Sequence, residues 1–268
     1  MTPAPLSHVL LDIEGTTCPV RFVSETLFPY AATQLGAFLE AHRKDEPVLD
    51  LLRQVEEAWL LDPDPAAIAL RQSSPAATGT TATEPQVLPY LRWLIEQDRK
   101  LTPLKDLQGL VWEEGYASGA LVAPLYSDVA AALHRWRSAG LSLAVYSSGS
   151  VRAQQLLYAH SSAGDLRPLF AGWFDTRIGS KREPVSYSRI VRELQTSPEQ
   201  VLFISDVLDE LRAADVVGLP VLECRRPDDC PTAADIGPFQ RIESFEDLNP
   251  DDFSVLHTGV KPSTSSIA

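Results

Sequence analysis

The chain has 268 residues, 44% hydrophobic and 22% charged, enough for one large domain or a core carrying an insert and incompatible with wholesale disorder. Twenty-three Lys plus Arg stand against 36 Asp plus Glu, a formal charge of -13, so the surface as a whole repels nucleic acid and anionic membranes, and a small anionic ligand needs individually placed cations. No run approaches the ~20 apolar residues of a membrane span, and the start, MTPAPLSHVLLDIEG, lacks a basic stretch and is interrupted by Asp12; a cytosolic protein is expected. Neither Cys18 nor the wide Cys224 to Cys230 pair has zinc-site spacing, and the histidines form no HxH or HExxH. Any catalysis is left to carboxylates, hydroxyls and lysine.

In chain order, residues 9–11 form a short apolar run meeting Asp12, Gly15, Thr16 and Thr17, which predicts a buried strand ending in a polar loop. Residues 22–122 hold four amphipathic patterns at helical spacing: 27–39, then Val48, Leu51, Leu52, Val55 and Trp59, then 87–95, then 104–112. Between the second and third, residues 73–85 (SSPAATGTTATEP) are poor in bulky apolar groups and predict a mobile loop. After Val129, Leu133 and Trp136 on a helix, residues 141–146 predict a strand that stops at Ser147, Ser148, Gly149 and Ser150. Helical patterns follow in VRAQQLLYAH and at Tyr187, Ile190, Val191 and Leu194. Residues 201–204 then form a strand ending at Ser205 and Asp206, followed by a helix through Leu211, Ala214 and Val217. Val221 and Leu222 mark one more strand, with no evident chemistry behind it, and residues 257–268 have little to bury and read as a disordered tail.

Alternating strands and helices predict an α/β fold, a doubly wound parallel sheet whose ligands lie beyond the carboxyl ends of the strands. The core is expected from residues 1–21 and 123–256, with an all-helical cap inserted at 22–122. A cap leaving the chain just after Asp12 would hang over whatever chemistry Asp12 performs and exclude water from it.

Each polar cluster has a structural and a chemical reading. Acids before a glycine are common in turns, and Thr16 or Thr17 could cap a helix. Yet Asp12 and Glu14, at i and i+2, can divide labour between attack on phosphorus and proton transfer to the leaving oxygen. Their repulsion of each other and of a phosphate calls for a divalent cation, and hard oxygen ligands suit Mg2+. Ser148 or Ser150 could be a helix cap, or the Tyr146 to Val151 turn could cradle a phosphate on free helix amides. Lys181, with Arg182 beside it, could be solvated or the placed cation. Among Asp206, Asp209 and Glu210, an acidic helix start is the plain reading; Asp206, nearest the strand end, is the candidate to complete a metal site with Asp12.

Together, DIEGTT, YSSGS, IGSKRE and FISDVLDE resemble the four motifs of the haloacid dehalogenase superfamily of aspartyl-phosphate phosphatases. Glu14 stands where that superfamily usually has a second aspartate. With FVSETLFPY, LKDLQGLVWEEGY, YSSGSVRAQQLL and FDTRIGSKREPVSYSRI, it makes residues 6–225 similar to the enolase-phosphatase family of methionine salvage. Pro184 and the long 73–85 loop depart from the pattern without touching a motif position. The resemblance implies a Rossmannoid core and Asp12 as nucleophile. It implies Asp12, Glu14 and Asp206 around Mg2+, with the Glu14 backbone carbonyl as an alternative ligand. Glu14 would act as acid and base, and Ser147, Ser148 and Lys181 would contact substrate. It further implies a cytosolic monomer that enolises and then dephosphorylates 2,3-diketo-5-methylthiopentyl 1-phosphate. The rivals are a generic phosphomonoesterase acting on phosphoglycolate or a sugar phosphate, against which LKDLQGLVWEEGY argues, and a non-catalytic scaffold, which the intact motif residues disfavour. A metal-independent dehalogenase would have no use for Glu14 and Asp206.

Overall fold

A computed structural model describes residues 5–73, 84–227, 229 and 237–250. The chain divides into two compact units, Met1–Phe22 with Val122–Ala268, and Val23–Leu121.

The first unit is built on a six-stranded sheet of order β3-β2-β1-β4-β5-β6, with β1 His8–Leu11, β2 Ser142–Tyr146, β3 Phe170–Phe174, β4 Val201–Ser205, β5 Val221–Cys224 and β6 Arg241–Ile242. Every pairing is parallel, the doubly wound order in which the chain reverses direction across the sheet beside β1. The central strands read as continuous apolar runs because both faces are covered. Leu10, Ala144 and Phe203 pack with Tyr187, Ile190 and Leu211 from α9 (Pro184–Glu193) and α10 (Leu208–Val217). The alternate residues Val9, Leu11, Leu143 and Val145 are equally buried; α7 (Val129–Ser138) and α8 (Val151–Ala159) lie against β2 and β3. A short α1, Val20–Phe22, ends the N-terminal piece of this unit. Thr16 and Thr17 cap no helix; both are buried in the loop between β1 and α1.

The second unit opens with a π-helical turn, Val23–Leu27, and continues through α2 (Phe28–Ala41), α3 (Glu46–Leu61), α4 (Pro65–Ser73), α5 (Glu84–Glu96) and α6 (Thr102–Ala117). Leu35, Leu39, Leu52, Val55, Leu91 and Leu107 are among its core residues. Pro opens α3 and α6 in the first turn, where its missing N–H costs nothing. The four expected helices are present and α4 is an addition: in PAAIALRQS only Ala67 is buried, so no apolar stripe announces it. Ser73 closes α4 and Glu84 and Pro85 open α5, so the expected loop is shorter at both ends; its remainder, and the expected tail, lie outside the described residues. β3, FAGWF, is also an addition. It is an edge strand with only Phe170 buried, and therefore lacks the apolar run that marks β1, β2 and β4. Cys18 and Cys224 are buried free thiols, and Cys230 lies outside the described residues. Among the described residues no helix is long and apolar enough to cross a membrane.

Candidate active site

The carboxyl end of β1, where the order of strands turns back, carries Asp12. Its N–H bonds the Ile204 carbonyl at 3.0 Å, extending the β1–β4 ladder one residue and fixing the side chain at the rim. The chain then folds on itself: the Ile13 carbonyl accepts from the amides of Thr16, Thr17 and Cys18 at 3.2, 2.8 and 2.9 Å, and the Gly15 N–H bonds the Cys18 carbonyl at 2.9 Å. Gly15 has φ +70°, and a Cβ there would overlap the Asp206 carboxylate. Glycine is required both for the backbone conformation and for the approach of the β1 loop to the end of β4. The Thr17 hydroxyl meets the buried Tyr158 hydroxyl at 2.8 Å, tying this loop to α8.

Asp12 is 4% exposed, and both of its oxygens are engaged. Oδ1 accepts from the Ile13 N–H at 2.8 Å and lies 2.6 Å from Lys181 Nζ; Oδ2 accepts from the Ser205 hydroxyl at 2.9 Å. Lys181 Nζ also lies 2.7 Å from Glu210 Oε2. Ser205 Oγ is 3.2 Å from that same Glu210 oxygen while accepting the Val207 N–H at 3.1 Å. Its single proton can serve only one carboxylate at a time. Lys181 is delivered by a turn pinned along its backbone. Tyr146 donates to the Gly179 carbonyl at 2.9 Å, Ser186 to the Ser180 carbonyl at 2.7 Å, and Tyr187 to the Lys181 carbonyl at 2.8 Å. Pro184, the departure noted in the sequence, takes the first helical position of α9 and disturbs nothing.

The electrostatics follow from this crowding. Burial works against the Lys181 ammonium, but Asp12 and Glu210 outweigh it and hold its pKa above the ordinary value. Burial, then Asp12, push Glu210 up to about 8 in spite of Lys181. Burial, then Asp12, with Glu14 adding to them, push Asp206 up to about 7. Asp206 Oδ1 is buried with no hydrogen-bond partner. A buried carboxylate oxygen left open, under repulsion from two neighbouring carboxylates, suits a hard cation. Among the described residues no three His, Cys, Asp or Glu side chains gather as a ready metal cage, so a cation here would complete its shell with backbone oxygen, water or substrate.

At the end of the neighbouring β2, Ser147 is buried and its hydroxyl accepts from the Gly149 N–H at 3.2 Å, while Ser148 is exposed. Ser150 is the cap of α8, accepting from the Ala153 N–H at 3.2 Å. Two residues not singled out from the sequence hold this turn. Gln154 donates to the Gly149 and Phe174 carbonyls, both at 2.8 Å, and Asp175 accepts from the Val151 and Arg177 amides at 3.2 and 2.8 Å. The structure thus joins Asp12 and Lys181 directly, sets Asp206 within their field with Glu14 acting on Asp206 in turn, and places Ser147 and Ser148 one strand over. Ser205 and Glu210 are further site residues, noted in the sequence at the end of β4 and among the three acids beyond it but given no role there, Asp206 being preferred. The signal for Glu210 was its spacing: four residues after Asp206, on the first turn of α10, it comes back to the strand end. Asp209 instead points out and pairs with Arg212 at 2.9 Å.

A parallel doubly wound sheet with these acids at the ends of β1 and β4 defines a class, and the sequence profile of the haloacid dehalogenase-like hydrolases matches residues 6–218. The chain belongs to that family. Within that family it is similar to proteins of a narrower set. Enolase-phosphatase E1 of Synechococcus sp. (strain RCC307) is 49% identical over 91% of this chain and 95% of its own length, and Enolase-phosphatase E1 of Aquifex aeolicus (strain VF5) is 42% identical over 90% and 97%. The crystal structure of the UTR4 protein from Saccharomyces cerevisiae is 33% identical, with a TM-score of 0.73 over 91% of this chain and all of that one. CbbY from Rhodobacter sphaeroides, in complex with phosphate, is 18% identical with a TM-score of 0.52 over 90% of this chain and 95% of its own, a likeness of fold alone.

Proposed function

We propose that this chain is the enolase-phosphatase of methionine salvage: it converts 2,3-diketo-5-methylthiopentyl 1-phosphate to the acireductone 1,2-dihydroxy-3-keto-5-methylthiopentene and phosphate. The observation behind this reading is the cluster at the carboxyl ends of β1 and β4, in which Asp12 is held by Lys181 and Ser205 beside an Asp206 oxygen with no partner, in a chain that is 49% identical to an Enolase-phosphatase E1. Asp12 attacks phosphorus, and the aspartyl-phosphate formed is then hydrolysed, so one hard displacement becomes two easier ones. The Lys181 ammonium orients Asp12 and offers positive charge to the phosphoryl oxygens, a role that falls to an individually placed cation in so acidic a chain. Ser147 and Ser148, with the first amides of α8, receive the phosphate. Glu14 donates a proton to the leaving oxygen, takes one from the attacking water, and takes part in the enolisation. Mg2+, held by Asp12 and Asp206 with Glu14 or its carbonyl, would supply the charge that lets a carboxylate approach a phosphate dianion. Residues 22–122 are the all-helical cap insert, and the enzyme works as a cytosolic monomer.

The test is an assay of purified protein with Mg2+ and the diketo phosphate, following acireductone absorbance and phosphate release separately. Equal yields of both support the reading. Phosphate without the enol would favour a generic phosphomonoesterase, and neither product would refute both.

A further inference from the structure

The strand that the sequence left without chemistry, β5, delivers Arg226, a guanidinium only 4% exposed and engaged on every side. Its Nε and Nη2 donate to one acceptor, the Thr16 carbonyl, at 3.0 and 2.8 Å. Its Nη1 donates to Asp128 Oδ2 at 2.6 Å and to the Glu243 carbonyl at 3.2 Å, and its plane lies 4.4 and 4.6 Å from the ring centres of Tyr126 and Phe245. The next carbonyl of the same loop, that of Thr17, accepts the Tyr126 N–H at 3.2 Å. Tyr126 is itself anchored by its hydroxyl to Asp229.

We propose that Arg226 is a positioning residue for phosphoryl transfer: it grips the Thr16 carbonyl and thereby fixes the Gly15–Cys18 turn that directly follows Asp12 and Glu14 and seats Gly15 against Asp206. The inference rests on the reading of Asp12 as nucleophile. Arginine is required because only its planar fork sends two N–H groups to one carbonyl while lying over two rings; lysine keeps the charge beside Asp128 and loses the fork. Displacement of a reacting group by about 1 Å costs on the order of 10²-fold in rate. Arg226 touches no reacting atom, so the loss falls on kcat and leaves KM nearly unmoved.

The test compares wild type with Arg226→Lys and with Tyr126→Leu, which removes one flanking ring and leaves the guanidinium, so that one variant remains readable if the other does not fold. Melting temperature and far-ultraviolet circular dichroism establish that a variant is folded. Turnover with Mg2+ and the diketo phosphate, and hydrogen exchange at the amides of residues 15–18, then read the turn. Arg226→Lys is expected to lower kcat by about 10²-fold and Tyr126→Leu by about 10-fold at unchanged KM. Exchange should accelerate about tenfold at residues 15–18 and remain unchanged in β4. Folded variants with kcat within about threefold of wild type, or with exchange at residues 15–18 unchanged, would overturn the proposal. If wild type itself releases no phosphate, the function reading fails, and the exchange measurement, which needs no substrate, still decides whether Arg226 holds the turn.

Discussion

Removing the Lys181 ammonium should unfold the protein more readily at high pH than at low. Lys181 Nζ sits 2.6 Å from Asp12 and 2.7 Å from Glu210, and all three side chains are nearly out of solvent. Breaking a buried ion pair by deleting one partner typically costs about 3–5 kcal/mol; here one cation serves two carboxylates, so Lys181→Met should lie toward the upper end. That is a large share of a total stability of roughly 5–15 kcal/mol, and at about 2–4 °C per kcal/mol it lowers the melting temperature by roughly 8–20 °C. The pH dependence follows from Glu210, whose pKa is pushed up to about 8 by burial and Asp12. Between the ordinary glutamate value and 8 the folded state binds more protons than the unfolded one, so stability falls as pH rises through that window. Deleting the cation raises the Glu210 pKa further and carries the fall on to higher pH. Urea unfolding of wild type and Lys181→Met at pH 9 and pH 6, without metal, should give a deficit of about 4–5 kcal/mol at pH 9 that shrinks to about half at pH 6. A deficit below about 1 kcal/mol at pH 9, or one that grows on acidification, would refute the reasoning.

Gly15→Ala should fold yet lose most of its activity, because a methyl at φ +70° overlaps the Asp206 carboxylate; isothermal titration should show weakened Mg2+ binding, and wild-type affinity would count against the close approach. Asp206, with its pKa pushed up to about 7 by burial and Asp12, must lose a proton to bind a cation. Titrations from pH 8 to 5 should therefore show Mg2+ affinity falling as pH drops below 7, and a flat profile would contradict this. Glu14→Gln removes the titrating group and keeps the shape, so rapid mixing should show both enol formation and phosphate release slowed by roughly 10²- to 10⁴-fold. Enol formation at the wild-type rate would confine Glu14 to phosphoryl transfer.

The sheet was legible where its strands are buried on both faces. Val9 to Leu11 and the VLFI of β4 are continuous apolar runs because helices cover them on either side. The edge strand β3 was not, since half-exposed FAGWF has neither a run nor an alternation, and α4 was hidden for the same lack of a stripe. At the site, Asp12, Lys181 and Asp206 stand next to strand ends or glycine turns, which are local signals. Glu210 depends on where α10 turns back, and Arg226, just beyond β5, meets the β1 loop only in three dimensions. Gln154 reads as an ordinary polar helix residue until both of its carbonyl partners are in view. Single-residue chemistry at strand ends is written locally; the groups that hold it in place come from chain segments far apart in sequence.

The central claim is that Asp12, at the end of β1 between Lys181 and Ser205, is the group that attacks phosphorus. Asp12→Asn preserves the size of the side chain and its place in the ladder to Ile204 while removing the nucleophilic oxygen. With Mg2+ and the diketo phosphate, this variant, purified free of wild-type protein and shown to be folded, should release no measurable phosphate. Steady phosphate release above a few per cent of the wild-type rate would contradict the account.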